Sequence, residues 1–585
     1  MFNIGSRGCE PDQLRYTGIV TAMQRNTHAL ADGEFDVAII GGGAFGAAAA
    51  WDASLRGLKT ALIERNDFSA GSSAECFKMV HGGIRYLQHM DIPRLRSSCH
   101  ERSAMLRIAP HLVAPLPIVI PTYGHGRKGK LFLGTGMRLY DFLTLDRNTG
   151  IADRTRHIPA TRFLSRSELL ALFPDIDDPE LTGGAVFDDG QMYSPPRLVL
   201  AFVKSAVGKG AVACNYVEAL DFLWEGDRVR GVKARDRLEG NEIEIRAKLV
   251  LNAAGPGAEY LLERNPRFGQ WRRGAFSRDA CFIVRRKPRS KFALAIQGRT
   301  RDRDSLVGRE ARHMFVVPWR DFTLIGVWHK LFPDHPDMSV IEEDELAAWI
   351  QEINGCCPAL ALARDDVVYR NCGLVPFGDG SVGTTELSFG KESRYIDHRA
   401  AHGVSGLVTL IGIRYTTARG DAAAALDMLL QQMPNAPGAA ATATTPLAGG
   451  AIEDFEALRA GAQRVRDSGI AAATLDGLLR NYGTEFGGVL NLAKGDAAEA
   501  APIGGSDTIM AEVTHAVRSE MAMKLDDVIM RRTDLGSGCH PGVAAVNAVA
   551  GRMRTLLGWS EEHLRGEIEG TEAILSRHGA AEGAA

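Results

Sequence analysis

From position 35 the chain alternates short apolar runs with polar or glycine-rich breaks. Residues 36–40, Asp36-Val37-Ala38-Ile39-Ile40, are apolar almost without alternation, the mark of a parallel strand buried on both faces. Gly41-Gly42-Gly43-Ala44-Phe45-Gly46 follows at once, and small residues continue to Gly57. This pattern predicts strand, tight turn and helix. A second apolar run at 60–63 ends in Glu64, completing a βαβ unit of about 30 residues. Between 115 and 365, strand-like pieces at 116–121, 211–216, 228–234, 248–253, 313–318 and 322–327 alternate with charged loops. An apolar strand at 404–413 then leads into an alanine-rich helix from Thr417.

Residues 434–450 are low in complexity and poor in large apolar side chains, which places a domain boundary there. Beyond it, 452–577 carries helical periodicity with few strand signals. No repeat of solenoid or propeller period is present. The expected fold class is α/β: a cofactor domain of the two-dinucleotide-binding type, an α+β substrate domain and a C-terminal helical domain. The boundaries read as an N-terminal extension at 1–34 and a discontinuous cofactor domain at 35–115, 185–265 and 366–433. The substrate domain takes 116–184 and 266–365, followed by a linker at 434–450, helices at 451–578 and a tail at 579–585.

Composition narrows the function classes. At 585 residues the chain exceeds a single compact core. A net charge of −3 excludes a dedicated nucleic-acid binder, which needs a concentrated basic face. Nine cysteines without a CxxC describe neither a disulfide framework nor a metal site, and a reducing cytoplasm fits them. The neighbours Cys356 and Cys357 read as buried or loop thiols rather than a redox couple. No stretch reaches the roughly 20 apolar residues of a spanning helix. Residues 1–34 lack an export signal and read as a leader strand or loose extension. Peripheral contact with the inner face of a membrane stays open.

Gly41, Gly43 and Gly46 stand in the G-x-G-x-x-G register, for the turn, the close approach of a diphosphate, and helix-to-strand packing respectively. Amides at the helix start hold the diphosphate, and Glu64 accepts from ribose hydroxyls. The strand ending Asn252-Ala253-Ala254-Gly255-Pro256 resembles the strand-to-turn that approaches the cofactor in flavoproteins with two dinucleotide-binding-type domains. Leu410-Ile411-Gly412, followed by Thr416-Thr417, predicts a helix N-terminus able to stabilise negative charge on a reduced flavin. Together these point to FAD rather than NAD.

The run from Ser72 through His81-Gly82-Gly83-Ile84-Arg85-Tyr86-Leu87, the segment Leu139-Tyr140-Asp141, Asp188-Asp189-Gly190-Gln191 and Arg414 to Arg419 resemble the FAD-dependent glycerol-3-phosphate dehydrogenases, within the D-amino-acid-oxidase-like flavoproteins. So does Met521 to Thr533, and the resemblance spans about residues 35 to 535. It implies oxidation of glycerol-3-phosphate or a related phosphorylated or polar secondary alcohol, with hydride passing to the flavin and electrons to a quinone or other acceptor. By motif position the cofactor contacts are Gly41, Gly43, Ala44, Phe45, Gly46, Glu64, Arg65, Ser72, Ser73, Lys78, His81, Gly82, Gly83, Val217, Ala253, Gly255, Gly412, Tyr415, Thr416 and Thr417. Arg85 and Tyr86 hold substrate, and Arg414 stands where the family has a lysine.

Three departures mark the substrate side. Gly373-Leu374-Val375-Pro376 lacks the family's arginine, Asp279-Ala280-Cys281 lacks its histidine, and Gly326-Val327-Trp328-His329 replaces Gly-Thr-Thr-Asp. His81 or His329 is the expected proton acceptor, because imidazole titrates in the useful range. Trp328 is expected to line a larger, more apolar pocket. A dehydrogenase leads. An oxidase of an alcohol or amine, and a flavoprotein without turnover, stand as alternatives, and a homodimer stays open.

Overall fold

The computed structural model describes residues 22–124, 130–176, 178–269, 271, 273–301, 311–377, 392–465 and 469–579. The described strands form two sheets. The first has eight strands: β1 (Glu34–Ile40), β2 (Thr60–Ile63), β7 (Val212–Cys214), β8 (Val217–Glu225), β9 (Arg228–Asp236), β10 (Glu242–Asn252), β16 (Arg394–Asp397) and β17 (Leu407–Ile411). The second has nine: β3 (Met79–Val80), β4 (Val113–Tyr123), β5 (Arg162–Ser165), β6 (Leu181–Met192), β11 (Ala275–Val284), β12 (Ala293–Arg301), β13 (Ala311–Trp319), β14 (Phe322–Phe332) and β15 (Val367–Phe377).

β10, β1, β2 and β7 run parallel in that order, with β17 beyond β10. The run 36–40 is apolar on both faces because both faces are covered. Val37 and Ile39 belong to one core, Ala38 and Ile40 to another. Helix Ala44–Leu55 is lined with Ala47, Ala48, Ala49, Ala50 and Ala53, all buried, because the helices Pro195–Val207 and Ala418–Leu430 pack on it. Small side chains allow the three backbones to approach.

The second sheet runs in the order β15-β11-β14-β13-β12-β4-β6-β3 and is antiparallel except at β12 and β4. It claims β6 and β15, most of which the sequence reading gave to the cofactor domain. β6 pairs along its length with β4, and β15 with β11, so hydrogen bonding places both in the second sheet. The N-terminal expectation also needs correction over the described part. Residues Thr27–Asp32 form a helix capped by the Asn26 side chain, and Leu30 is fully buried in the core beneath β1 and β10. Residues 1–21 lie outside the described residues, as does the tail from 580.

Residues 434–450 form neither helix nor strand, yet Thr442 and Leu447 are buried. Helices between Phe455 and Arg577 follow around two cores of their own. Buried ions fasten this unit to the cofactor side. Fully buried Asp67, just past β2, accepts from Arg531 at 2.7 Å and from Arg532 at 2.6 and 2.8 Å. Arg197 and Lys204 likewise reach Glu520, at 2.5 and 3.1 Å. Cys356 and Cys357, at the end of helix Glu343–Cys356, are not joined in a disulfide. Among the described residues no helix is long and apolar enough to cross a membrane.

Candidate functional site

β1 delivers its chain into a turn that only glycine allows. Gly41 has φ +105°, and a Cβ there would sit 2.6 Å from the Ala253 carbonyl oxygen, because the end of β10 crosses over the turn. At Gly46 a Cβ would lie 1.8 Å from the Gly41 carbonyl oxygen, so the helix closes onto the strand only without one. Gly43 caps the helix with no side-chain bond, and the Ala44 amide donates to the Ser73 hydroxyl at 2.9 Å. The start of this helix, with the positive end of its dipole, lines the cavity through Gly43, Ala44 and Phe45, the setting for a diphosphate. Glu64, at the end of β2, accepts from the Gly42 and Asn66 amides at 2.7 and 2.9 Å. Burial pushes its carboxyl above the usual range, only partly offset by those two amides.

The cavity this turn opens onto measures about 1590 Å³, beyond the ~300–1,000 Å³ of ordinary small-molecule sites. It has room for a dinucleotide and a second, smaller molecule. One wall is the loop leading to helix Ile92–Ile108. The His81 amide donates to the Thr416 hydroxyl at 3.1 Å, joining this wall to the turn before helix Ala418–Leu430. That helix also starts without a side-chain cap, and Gly412, Arg414, Tyr415 and Thr416 line the cavity beside it. Asp189 accepts from the Gly82 amide and, at 2.8 Å, from fully buried Arg102, which fixes the loop from below.

Three guanidinium groups surround one buried tyrosine. The Cζ atoms of Arg85, Arg94 and Arg414 stand 5.4, 4.9 and 5.6 Å from the Tyr86 ring centroid. Burial would raise the Tyr86 hydroxyl pKa, but the charges and hydrogen bonds of Arg85 and Arg414 outweigh it and hold the value below the usual range. Arg94 pairs with Asp91 at 2.9 Å, and Arg414 donates to the Ser98 hydroxyl at 2.9 Å. The His81 ring is 5.9 Å from that of Tyr86, and burial together with Arg85, Arg414 and Arg102 pushes its pKa down to about 3. His81 is therefore neutral at physiological pH, and a cluster so rich in cations is suited to an anion.

The second sheet supplies further lining of the cavity. His329 on β14 faces Asp279 on β11, with Nδ1 2.8 Å from Oδ1. Cys281 and Val375 also line the cavity, and burial pushes the Cys281 thiol up to about 12. Lys78 is buried against this sheet, its Nζ 4.9 Å from the Trp319 ring centroid. Trp328 departs from expectation. A register shift between Ala280 and Cys281 accompanies its placement on the far side of the sheet, stacked between Phe282 and Trp349 at 5.3 and 5.1 Å. Its indole donates to Glu352, and it is core rather than pocket.

Nearly all the expected site residues share this one cavity: His81, Arg85, Tyr86, His329 and Arg414, with Gly41, Gly43, Ala44, Phe45, Glu64, Arg65, Ser72, Ser73, Lys78, Gly83, Ala253, Gly255, Gly412, Tyr415 and Thr416. Four are off its lining. Gly46 and Gly82 are packed behind it, Val217 is buried while its amide donates to the Glu64 carbonyl, and the Thr417 hydroxyl is tied to Asp421 at 2.8 Å. The sequence reading missed Arg94, which carries no motif and joins the cluster through helix geometry. It noted Asp279 only as a departure, because its partner lies 50 residues away.

Comparison with known proteins agrees with this geometry. Residues 36–419 match the family model described as FAD dependent oxidoreductase, and residues 440–564 match the C-terminal domain of alpha-glycerophosphate oxidase. A glycerol-3-phosphate dehydrogenase of Mycobacterium leprae is 31% identical, covering 92% of this chain and 87% of that protein. One from Synechocystis is 29% identical, with 93% and 97% covered. The solved glycerol-3-phosphate dehydrogenase of Bacillus halodurans complexed with FAD superposes with a TM-score of 0.71 at 24% identity, covering 94% of this chain and 96% of that one. At that identity the superposition speaks for the fold.

Proposed function

The chain belongs to the FAD-dependent oxidoreductase family, and from that premise we propose that it oxidises sn-glycerol-3-phosphate in the cavity between its two sheets. The observation that carries the substrate is the trio Arg85, Arg94 and Arg414 around Tyr86, with Asp91 as the acid paired to one of them. A phosphate dianion meets the remaining charge through bidentate hydrogen bonds. Arg414 keeps the charge expected at its position. Arg85 and Tyr86 hold the phosphate from the other side, which turns the carbinol end of the substrate toward the cavity interior.

FAD, when bound along Gly41, Gly43, Ala44, Glu64 and Ser73, supplies the hydride acceptor and passes two electrons onward. Around it the chain's own groups orient and screen. The N-terminus of helix Ala418–Leu430, which starts without a side-chain cap beside Tyr415 and Thr416, would favour negative charge on a flavin held there. Tyr86 and Phe187 are buried and Tyr415 is half-buried, which limits the water that reaches this part of the cavity.

We assign the onward electrons to a quinone-type acceptor at the inner face of a membrane. Supporting this, Met90 and Leu139 line the cavity, and Met90, Leu139, Phe142 and Leu145 are large apolar side chains 59%, 40%, 69% and 75% exposed. Such side chains suit a lipid surface. The test compares kcat/KM for sn-glycerol-3-phosphate and glycerol with a soluble quinone. A preference of about 100-fold or more for the phosphorylated alcohol is expected, since one charge-assisted hydrogen bond contributes roughly 1.5–3 kcal/mol. Equal use of glycerol contradicts the clamp. Stoichiometric peroxide in air would replace the quinone with oxygen.

A further inference from the structure

We propose that Asp279 and His329 act as the proton-accepting pair of the reaction, His329 as the catalytic residue that touches the substrate hydroxyl and Asp279 as the residue that positions it. The inference rests on the reading of this cavity as an alcohol-oxidising site.

Four observations carry it. The register of β11 against β14 sets the two side chains opposite each other, and Nδ1 of His329 lies 2.8 Å from Oδ1 of Asp279. The same carboxylate oxygen accepts from the Ser277 hydroxyl at 2.8 Å, so the acid is itself oriented. Both residues line the same cavity as Arg85, Arg94 and Arg414. Their side chains are only 26% and 15% exposed, which limits competition from water. With Nδ1–H donated to the carboxylate, Nε2 is the basic nitrogen, and Asp279 stabilises the imidazolium that forms there, the logic of an acid-oriented general base.

His81, the imidazole beside the arginine cluster, is unsuited. A proton on His81 would add positive charge beside Arg85, Arg102 and Arg414, and its pKa is already held down to about 3. Cys281 next along β11 keeps its proton throughout the physiological range. In the step itself the carbinol C–H bond breaks and hydride, with its electron pair, leaves for the oxidised cofactor. The O–H electron pair becomes the carbonyl π bond, and the hydroxyl proton goes to Nε2 of His329.

The experiment uses holoenzyme. H329A, D279N and D279E are compared with wild type for FAD content, for affinity toward inorganic phosphate followed by flavin fluorescence, and for anaerobic bleaching by sn-glycerol-3-phosphate. Expected are a ~100-fold or greater loss of bleaching rate in H329A, about tenfold in D279N and partial recovery in D279E, with FAD content and phosphate affinity within twofold of wild type. Added imidazole should restore at least tenfold of the H329A rate, as no structural defect would allow. Wild-type bleaching by H329A, a loss that imidazole leaves untouched, or FAD-free H329A would each overturn the pair alone. A wild-type flavin that stays oxidised would overturn the alcohol reading together with the pair.

Discussion

Replacing Asp67 with Asn should loosen the C-terminal helical unit from the cofactor sheet. The fully buried carboxylate accepts four hydrogen bonds at 2.6–2.9 Å, from Arg531, twice from Arg532 and from Asn215. Arg531 also pairs with Asp526 and Asp527, whereas the remaining bond of Arg532 goes to a backbone carbonyl at 3.1 Å. D67N therefore leaves a buried cation without its counter-charge, a loss of about 3–5 kcal/mol. For a helical unit of this size that is a fall in Tm of roughly 5–15 °C. The pH dependence gives a second handle. Burial would raise the Asp67 pKa, but Arg532 and Arg531 hold it at about 2, below the usual 3.8. Its stabilisation is thus present above pH 3.8 and lost as pH falls through about 2. Asp527 behaves oppositely. Burial, Asp67 and Asp526 raise it to about 7, so its contribution is full below pH 3.8 and fades as pH rises through about 7. Removing the Asp67 charge should lower the Asp527 pKa and flatten the decline between pH 4 and 7. Thermal melts of holoenzyme across pH 4–8, read by circular dichroism, test both parts. A D67N melt within about 2 °C of wild type, with an unchanged pH slope, would refute the reasoning.

Other substitutions should separate the parts of the site. Gly46→Ala places a Cβ 1.8 Å from the Gly41 carbonyl oxygen, and the helix shift needed to relieve it should leave protein purified with less than a tenth of the wild-type FAD, measured by absorbance against protein. Arg414→Met should raise KM for sn-glycerol-3-phosphate about 10–100-fold while FAD content holds, because it removes a charge-assisted contact and no cofactor contact from its side chain. Phe142→Glu with Leu145→Glu should cut cosedimentation with phospholipid vesicles at least fivefold and leave turnover with a soluble quinone unchanged, since both side chains are more than two-thirds exposed.

The cofactor half of the molecule was legible because its signals are local. The strand, glycine turn and helix at 34–55 form one continuous stretch, and within it the positive φ of Gly41 and the contact of Gly46 with the Gly41 carbonyl are set locally, although the Ala253 carbonyl over Gly41 comes from distant β10. His81 to Tyr86 could be read for the same reason. The substrate half depends on pairings across strands. Asp279 and His329 meet only because of the β11–β14 register, and the shift beside Cys281 goes with a Trp328 directed into the core. Helix Ile92–Ile108 escaped a hydrophobic pattern search because Glu101 and Arg102 on its buried face are neutralised by Arg419 and Asp189, residues distant in sequence. The Asp67 clamp joins positions more than 460 apart, beyond any local pattern.

Anaerobic titration of the purified holoenzyme with sn-glycerol-3-phosphate tests the central claim most directly, because it joins cofactor, substrate and cavity in one spectrum. The account predicts loss of the oxidised-flavin absorbance, complete with excess substrate and absent with glycerol at the same concentration. A flavin that stays oxidised with the phosphorylated alcohol, or bleaches equally with both, would contradict it.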